Sequence, residues 1–233
     1  MSEKIAETDP QELGAHPLEP ASLSKDAEST SKIISKFVSD AKKILAPHHP
    51  ANMLLLRGFS KPPSLPSFSE VYHLHPAAIA TYPMYKGLAR LFGMEILDLK
   101  GTNIEDEIKT LEENFNDYDF FFIHIKGTDS AGEDGDWKRK VQVIESVDKF
   151  IPRVLKLNPD VLIVTGDHST PAVLKSHSWH PVPLLLYSPT CRVDNVTAFS
   201  EKACVGGGLG RIPAVDIMPL ALAHAQKLEK YGA

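Results

Sequence analysis

The chain of 233 residues is poor in cysteine, with only Cys191 and Cys204. So little thiol excludes a disulfide framework and reads as reduced cysteine in a cytosolic protein. An excess of positive charge is also lacking. Lys and Arg number 25 against 30 Asp and Glu, for a formal net charge of -5. That balance argues against non-specific nucleic-acid binding, which needs a basic face. It does not exclude an anionic substrate, because a metal or an arginine can reverse the sign inside one cleft. No apolar run approaches the roughly 20 residues that span a bilayer. The opening MSEKIAETDPQELGAHP is polar and lacks the apolar centre of a secretory leader. The expectation is a soluble cytoplasmic protein with no membrane and no nucleic-acid partner. What is present, 42% hydrophobic and 24% charged residues, is ordinary globular composition. The length allows one large domain or two small ones.

Residues 1–25 are rich in Glu, Asp, Pro and Ser and read as an irregular lead-in. From Asp26, Ile33, Ile34, Phe37, Val38, Ala41, Ile44 and Leu45 recur at helical steps until Pro47 and Pro50 stop them. ANMLLLRGFS is an apolar run of strand length that ends at Arg57-Gly58, and the proline- and serine-rich KPPSLPSFSE after it reads as a linker. PAAIATYPMYKGLARLFGM predicts a helix broken near Pro83, EILDL a strand, and IEDEIKTLEENF an amphipathic helix with acids in its first turn, where they favour the macrodipole. DFFFIHIK, DVLIVTGD and PVPLLLYS read as strands. WKRKVQVIESVDKFIPRVLKL and the closing AVDIMPLALAHAQKLEKYG read as helices. Continuous apolar strands alternating with helices imply an α/β domain, its sheet mostly parallel with helices on both faces.

Polar groups gather where these strands end. After DFFFIHIK come Asp129, Glu133, Asp134 and Asp136, and like charges so close need water, protons or cations to screen them. After VLIVT comes Gly166-Asp167-His168-Ser169-Thr170-Pro171, and before PVPLLLYS comes His177-Ser178-Trp179-His180. Open α/β sheets bind ligands at the carboxyl ends of their strands. Aspartate and histidine together suit Mn, Zn, Co or Fe better than calcium. Each piece also admits a plainer reading: a solvated acidic turn, a helix cap at Asp167 or Ser169, and surface histidines beside prolines.

TGDHSTP, the DxxGxDG loop from Asp129 and the HxxxPVP segment from His177 resemble the cofactor-independent phosphoglycerate mutases, archaeal-type branch, of the alkaline-phosphatase-like superfamily. ANMLLLRGF, AAIATYPMYKGLARLFGM, LEENFNDYDFFFIHIKGTD, VIESVDKFIP and GGGLGRIPAVDIMPLALAHA extend the likeness over nearly the whole chain. The resemblance implies interconversion of 3-phosphoglycerate and 2-phosphoglycerate, a glycolytic isomerase reaction through phosphoserine. It also implies two divalent metal ions, manganese first, with Zn, Co or Mg as alternatives. By motif, Asp129 and His177 bind one metal, Asp167 and His168 the other. Where this family carries histidine, four residues after the loop aspartate, this chain has Glu133, read here as a harder ligand in the same place. Arg57 and Lys86 bind phosphoglycerate, with Lys86 near the transferring phosphoryl group.

The resemblance further implies that residues 1–73 belong to a partial substrate-binding cap and 74–233 to the metal-binding half of the catalytic α/β domain. The family's nucleophilic serine and first aspartate ligand precede the matched region. This chain therefore resembles the second part of a longer enzyme, with an incomplete sheet, little turnover alone and a separately encoded N-terminal segment as partner. The full-length form is expected to be monomeric. Two other readings stand beside this one: a phosphomonoesterase or phosphomutase of the same superfamily, and a non-catalytic metal-binding remnant.

Overall fold

The computed structural model describes residues 1–228. Two compact units divide between Ser64 and Leu65. The first is built on helix α1 (Glu28–Leu45), which buries Thr30 and Val38. Ile33, Phe37 and Ile44 of its apolar stripe remain more than half exposed. ANMLLLRG, expected as a strand, forms none. Its tie is local: Thr8 N–H donates to Leu56 O at 2.8 Å, and Leu56 N–H donates to the Thr8 hydroxyl at 2.6 Å. The neighbouring segment continues into Pro10, which has no N–H to extend a ladder.

The second unit opens with α2 (Phe68–Tyr72), started by a capping box between Ser67 and Glu70. Phe68 packs with Leu74, Leu222 and Phe120, which draws α2 into this unit and sets the division ahead of the expected boundary at 73. Strand β1 (Pro76–Ala80) follows, buried at every residue. This corrects the sequence reading, which ran a helix through PAAIA. A short apolar run does not tell a buried strand from a helix by periodicity, and alanine favours the helix locally. The helix, α3 (Pro83–Leu91), begins only at Pro83, a residue pre-organised for a first turn.

Strand β2 (Glu95–Ile96) and, after α4 (Ile104–Asn114), strand β3 (Phe120–His124) pair in parallel with β1 on its two sides. The register sets Pro76 against Phe120 and Ala80 against His124. The loop expected after β3 is largely a short helix, α5 (Gly127–Glu133). The long helix expected next breaks into α6 (Trp137–Asp148) and α7 (Ile151–Lys156), because Pro152 lacks the N–H a continuous helix needs. Strands β4 (Leu162–Thr165) and β5 (Leu184–Tyr187) form a separate antiparallel pair. The mixed α/β class stands, but this pair departs from the parallel arrangement. No helix lies between β4 and β5 to carry the chain back for a parallel return. Helices α8 (Glu201–Cys204) and α9 (Ile217–His224) complete the unit. The closing helix read from the sequence ran beyond residue 228, and its last part lies outside the described residues.

Alternation along β3 shows how the sheet is covered. Phe121 and Ile123 pack with Ile79, Ile108, Leu111 and Val154 beneath α4 and α7. Phe120 meets Phe68 of α2, and Phe122 and His124 stack with Tyr85 of α3. Successive side chains of a strand point to opposite faces, so helices lie on both faces of the parallel sheet. Full burial of a side chain such as Ile79 stabilises the unit by about 1.5–3 kcal/mol.

Candidate metal centre

Three elements bring the donors together. Helix α5 presents Asp129 and Glu133 one turn apart, on one face. The chain leaving β4 presents Asp167, His168 and Thr170. The return toward β5 presents His177, held to the outgoing strand by an antiparallel bridge in which Ser178 N–H donates to Ser169 O at 2.9 Å. That bridge sets the rings of His168 and His177 3.8 Å apart. Helix α5 approaches closely because residue 132 is glycine; a Cβ there would lie 2.4 Å from Thr170 O.

Asp129, His168 and His177 each offer a ligand atom within 4.8 Å of the others. His177 Nε2 lies 3.7 Å from Asp129 Oδ1 and 3.7 Å from Glu133 Oε1, between two carboxylates. His168 Nε2 lies 3.4 Å from Asp167 Oδ2. The Thr170 hydroxyl donates to Asp129 Oδ1 at 2.6 Å, so it accepts from His168 Nδ1, 3.0 Å away. In the neutral ring this leaves His168 Nε2 as a lone pair facing a carboxylate oxygen. Two such bases facing each other suit a cation between them. Ligands about 2.1 Å from a metal ion stand roughly 3–3.5 Å apart around it. The donor set therefore fits divalent metal.

The electrostatics agree with that fit. Asp129 has a side chain only 13% exposed. Its burial pushes the carboxyl up, but the Lys126 ammonium and the Thr170 hydroxyl outweigh that and hold it below the usual range. Burial likewise opposes ionisation of Asp167, and the Tyr85 hydroxyl and His168 reverse the balance, leaving it lowered. Both carboxylates are thus ionised at neutral pH. Lys126 pairs with Asp129, which raises the ammonium's pKa, and lies 5.0 Å over the Tyr82 ring. Asp129, Glu133 and Asp167 surround this region with more negative charge than Lys126 offsets, a field that favours added cations.

Lys86 lies on α3, half-buried and next to Tyr85. Arg57 belongs to the first unit, where its exposed guanidinium lies 3.7 Å from Asp9. His180 accepts or donates within its own loop, 2.8 Å from the Ser178 hydroxyl. Sequence reasoning missed Tyr85, whose hydroxyl donates to Asp167, and Thr170, which ties Asp129 to His168. Lys126 lies three residues before Asp129, the spacing of an ion pair on a helical turn. Nothing local marked Tyr85.

Residues 21–224 match the family described as the Metalloenzyme superfamily. Among curated relatives, a probable 2,3-bisphosphoglycerate-independent phosphoglycerate mutase of Aquifex aeolicus is 51% identical over 232 residues, covering 100% of this chain and 57% of the relative. Its counterpart from Thermotoga maritima is 52% identical over 234 residues, covering 100% and 58%. Among solved structures, a protein from Pyrococcus horikoshii superposes with a TM-score of 0.80 at 33% identity, over 90% of this chain and 60% of that one. The cofactor-independent phosphoglycerate mutase from Thermoplasma acidophilum does so with a TM-score of 0.65 at 27% identity, over 97% and 60%. The chain thus spans little more than half the length of the curated relatives it matches.

Proposed function

The chain belongs to the Metalloenzyme superfamily, and from that premise we propose that it is the metal-binding part of a phosphoglycerate mutase, a glycolytic isomerase that interconverts 3-phosphoglycerate and 2-phosphoglycerate in the cytoplasm. The observation that carries the proposal is the convergence of Asp129, His168 and His177, in a chain matched throughout its length by proteins named as such mutases.

In this reading Asp129, Glu133 and His177 hold one divalent ion, and Asp167 and His168 hold a second. Manganese comes first, with Zn, Co or Mg as alternatives, because the donors mix hard carboxylate with imidazole. Bound there, the metals supply Lewis-acid neutralisation of phosphoryl charge. The chain's own groups position and compensate. Lys126 keeps Asp129 ionised, and Thr170 fixes the His168 tautomer by accepting a hydrogen bond from its Nδ1–H. Tyr85 orients Asp167. Lys86 places an ammonium near the transferring phosphoryl group, and Arg57, on the part read as cap, grips a phosphate or carboxylate bidentately. The hydroxyl nucleophile comes from a segment outside this chain, so the polypeptide alone turns over little, and the full-length form is a monomer.

Isothermal titration with Mn²⁺ tests the metal assignment. The chain takes up manganese saturably, and Asp129→Ala and His177→Ala each weaken uptake at least 10-fold. Unchanged binding in both variants overturns the assignment. A chimera joining this chain to the unmatched part of the Aquifex aeolicus relative, in an enolase-coupled assay, tests the reaction. Isomerisation is expected. Release of free phosphate in its place would make the protein a phosphomonoesterase.

A further inference from the structure

Glu107 stands in the first turn of α4 with only 3% of its surface exposed. No hydrogen bond or ion pair meets its carboxyl among the described residues. Burial and the neighbouring Asp106 act on it, and both oppose its charge. The nearby cations are engaged elsewhere. The Lys126 ammonium is bound to Asp129, and the Arg153 guanidinium holds Glu112 and lies 3.7 Å from Glu105. A buried polar group without a partner is an exception in folded proteins, and a missing ligand is one cause of it.

Glu107 lines a cavity of about 500 Å³ beside the carboxyl ends of β1 and β3, where Thr81 and Ile125 follow the strands. Small-molecule pockets span roughly 300–1,000 Å³ and combine apolar walls with a few polar groups. Here Ile104, Ile125, Val143 and Phe150 supply the apolar wall. Such walls offer too few oxygens to replace the water around an inorganic ion. Ser146 also lines the cavity, and its hydroxyl donates to Val143 O at 2.7 Å, which leaves its oxygen free to accept.

We infer that this cavity binds a small organic cation, a primary ammonium on a short hydrocarbon body, with the Glu107 carboxylate as its counter-ion. The ammonium supplies the positive charge that no side chain brings to Glu107, and the Ser146 oxygen is a second acceptor for its N–H groups. The hydrocarbon body lies along the apolar wall. The N-terminus of α4 does not repel the ligand. Its macrodipole amounts to about half a positive charge, against the carboxylates of Glu105, Asp106 and Glu107 in the same turn. None of the metal donors Asp129, His168 and His177 lines the cavity, so the site is distinct from the metal centre.

The test follows amide chemical shifts of the isotope-labelled chain at pH 8 as n-butylammonium chloride is added at constant ionic strength. The expected result is saturable movement at Thr81, Glu107 and Ser146. n-Butanol, which keeps the body and loses the charge, binds at least about 10-fold more weakly, and butyrate does not saturate. Glu107→Gln removes the charge at nearly constant shape and weakens n-butylammonium at least about 10-fold. Movement that does not saturate overturns the inference, as does equal affinity for n-butanol or undiminished binding in the glutamine variant. Saturation of the same amides by potassium chloride alone overturns it too, because an inorganic ion would then fill the site. Manganese titration of the parent chain reads the metal assignment separately, so the two readings fail by different observations.

Discussion

The hydroxyl of Tyr85 donates a hydrogen bond to Asp167 Oδ2, while its ring stacks on the imidazole of His124 with centroids 3.5 Å apart. The contact joins α3 to the chain that follows β4 across 82 residues of sequence. Burial and the adjacent carboxylate push the phenol's pKa up, so it stays a donor throughout the working pH range. Burial also pushes His124 down, toward a neutral ring.

Removing that hydroxyl while keeping the ring isolates its role. Tyr85→Phe is expected to weaken manganese binding by about 10-fold, the usual effect of losing a partner that orients a ligand. Thermal stability falls by no more than about 1 kcal/mol, because the stack on His124 persists. Titration calorimetry beside a melting curve separates the two effects, and equal metal affinity would remove Tyr85 from the site.

Glu133 faces His177 Nε2 at 3.7 Å from one turn beyond Asp129. Its conversion to alanine is expected to lower manganese affinity about 10-fold, and Glu133→His to shift preference from Mn toward Zn. Metal content measured after dialysis against both ions reports this directly. An alanine variant that binds as the parent does would return Glu133 to solvent.

The packing of α5 depends on a missing side chain. Gly132→Ala sets a Cβ against the Thr170 carbonyl, and the backbone has to yield. A loss of about 1–3 kcal/mol is expected from overpacking. Metal affinity falls with it, since Asp129 and Thr170 separate. Chemical denaturation and metal titration of the same sample check both parts.

Glu107 on α4 is 3% exposed, and burial with Asp106 beside it lifts its carboxyl to about 7 from an ordinary 4.5. Between these values the unfolded chain has lost its proton and the folded chain has kept it. Stability therefore falls as pH rises through that window and stays lowered above it. Glu107→Gln is expected to stabilise the protein by about 2 kcal/mol at pH 8 and far less at pH 4.5. Urea unfolding at the two pH values measures the difference, and a pH-independent effect would contradict the buried acid.

Much of the α/β pattern was legible because apolar runs such as Phe120–Ile123 and Leu162–Val164, and signals such as the acidic first turn of α4, act over a few residues. Pro76–Ala80 was not. Its alanines favour a helix by themselves, and only pairing on both edges and burial on both faces make it a strand. The division of the long helix was readable from Pro152 and was overlooked, since apolar periodicity continues across the break.

By itself the sequence determined which chemistry was on hand: carboxylates and imidazoles placed just beyond apolar strands, where backbone ends leave room for a ligand. Tertiary structure alone decided which of their atoms meet. The Ser169–Ser178 bridge brings His168 over His177, Thr170 settles which nitrogen of His168 carries the proton, and Tyr85 reaches Asp167 from a distant helix. Those contacts depend on how helices and sheets pack over long sequence separations, and no local propensity encodes them.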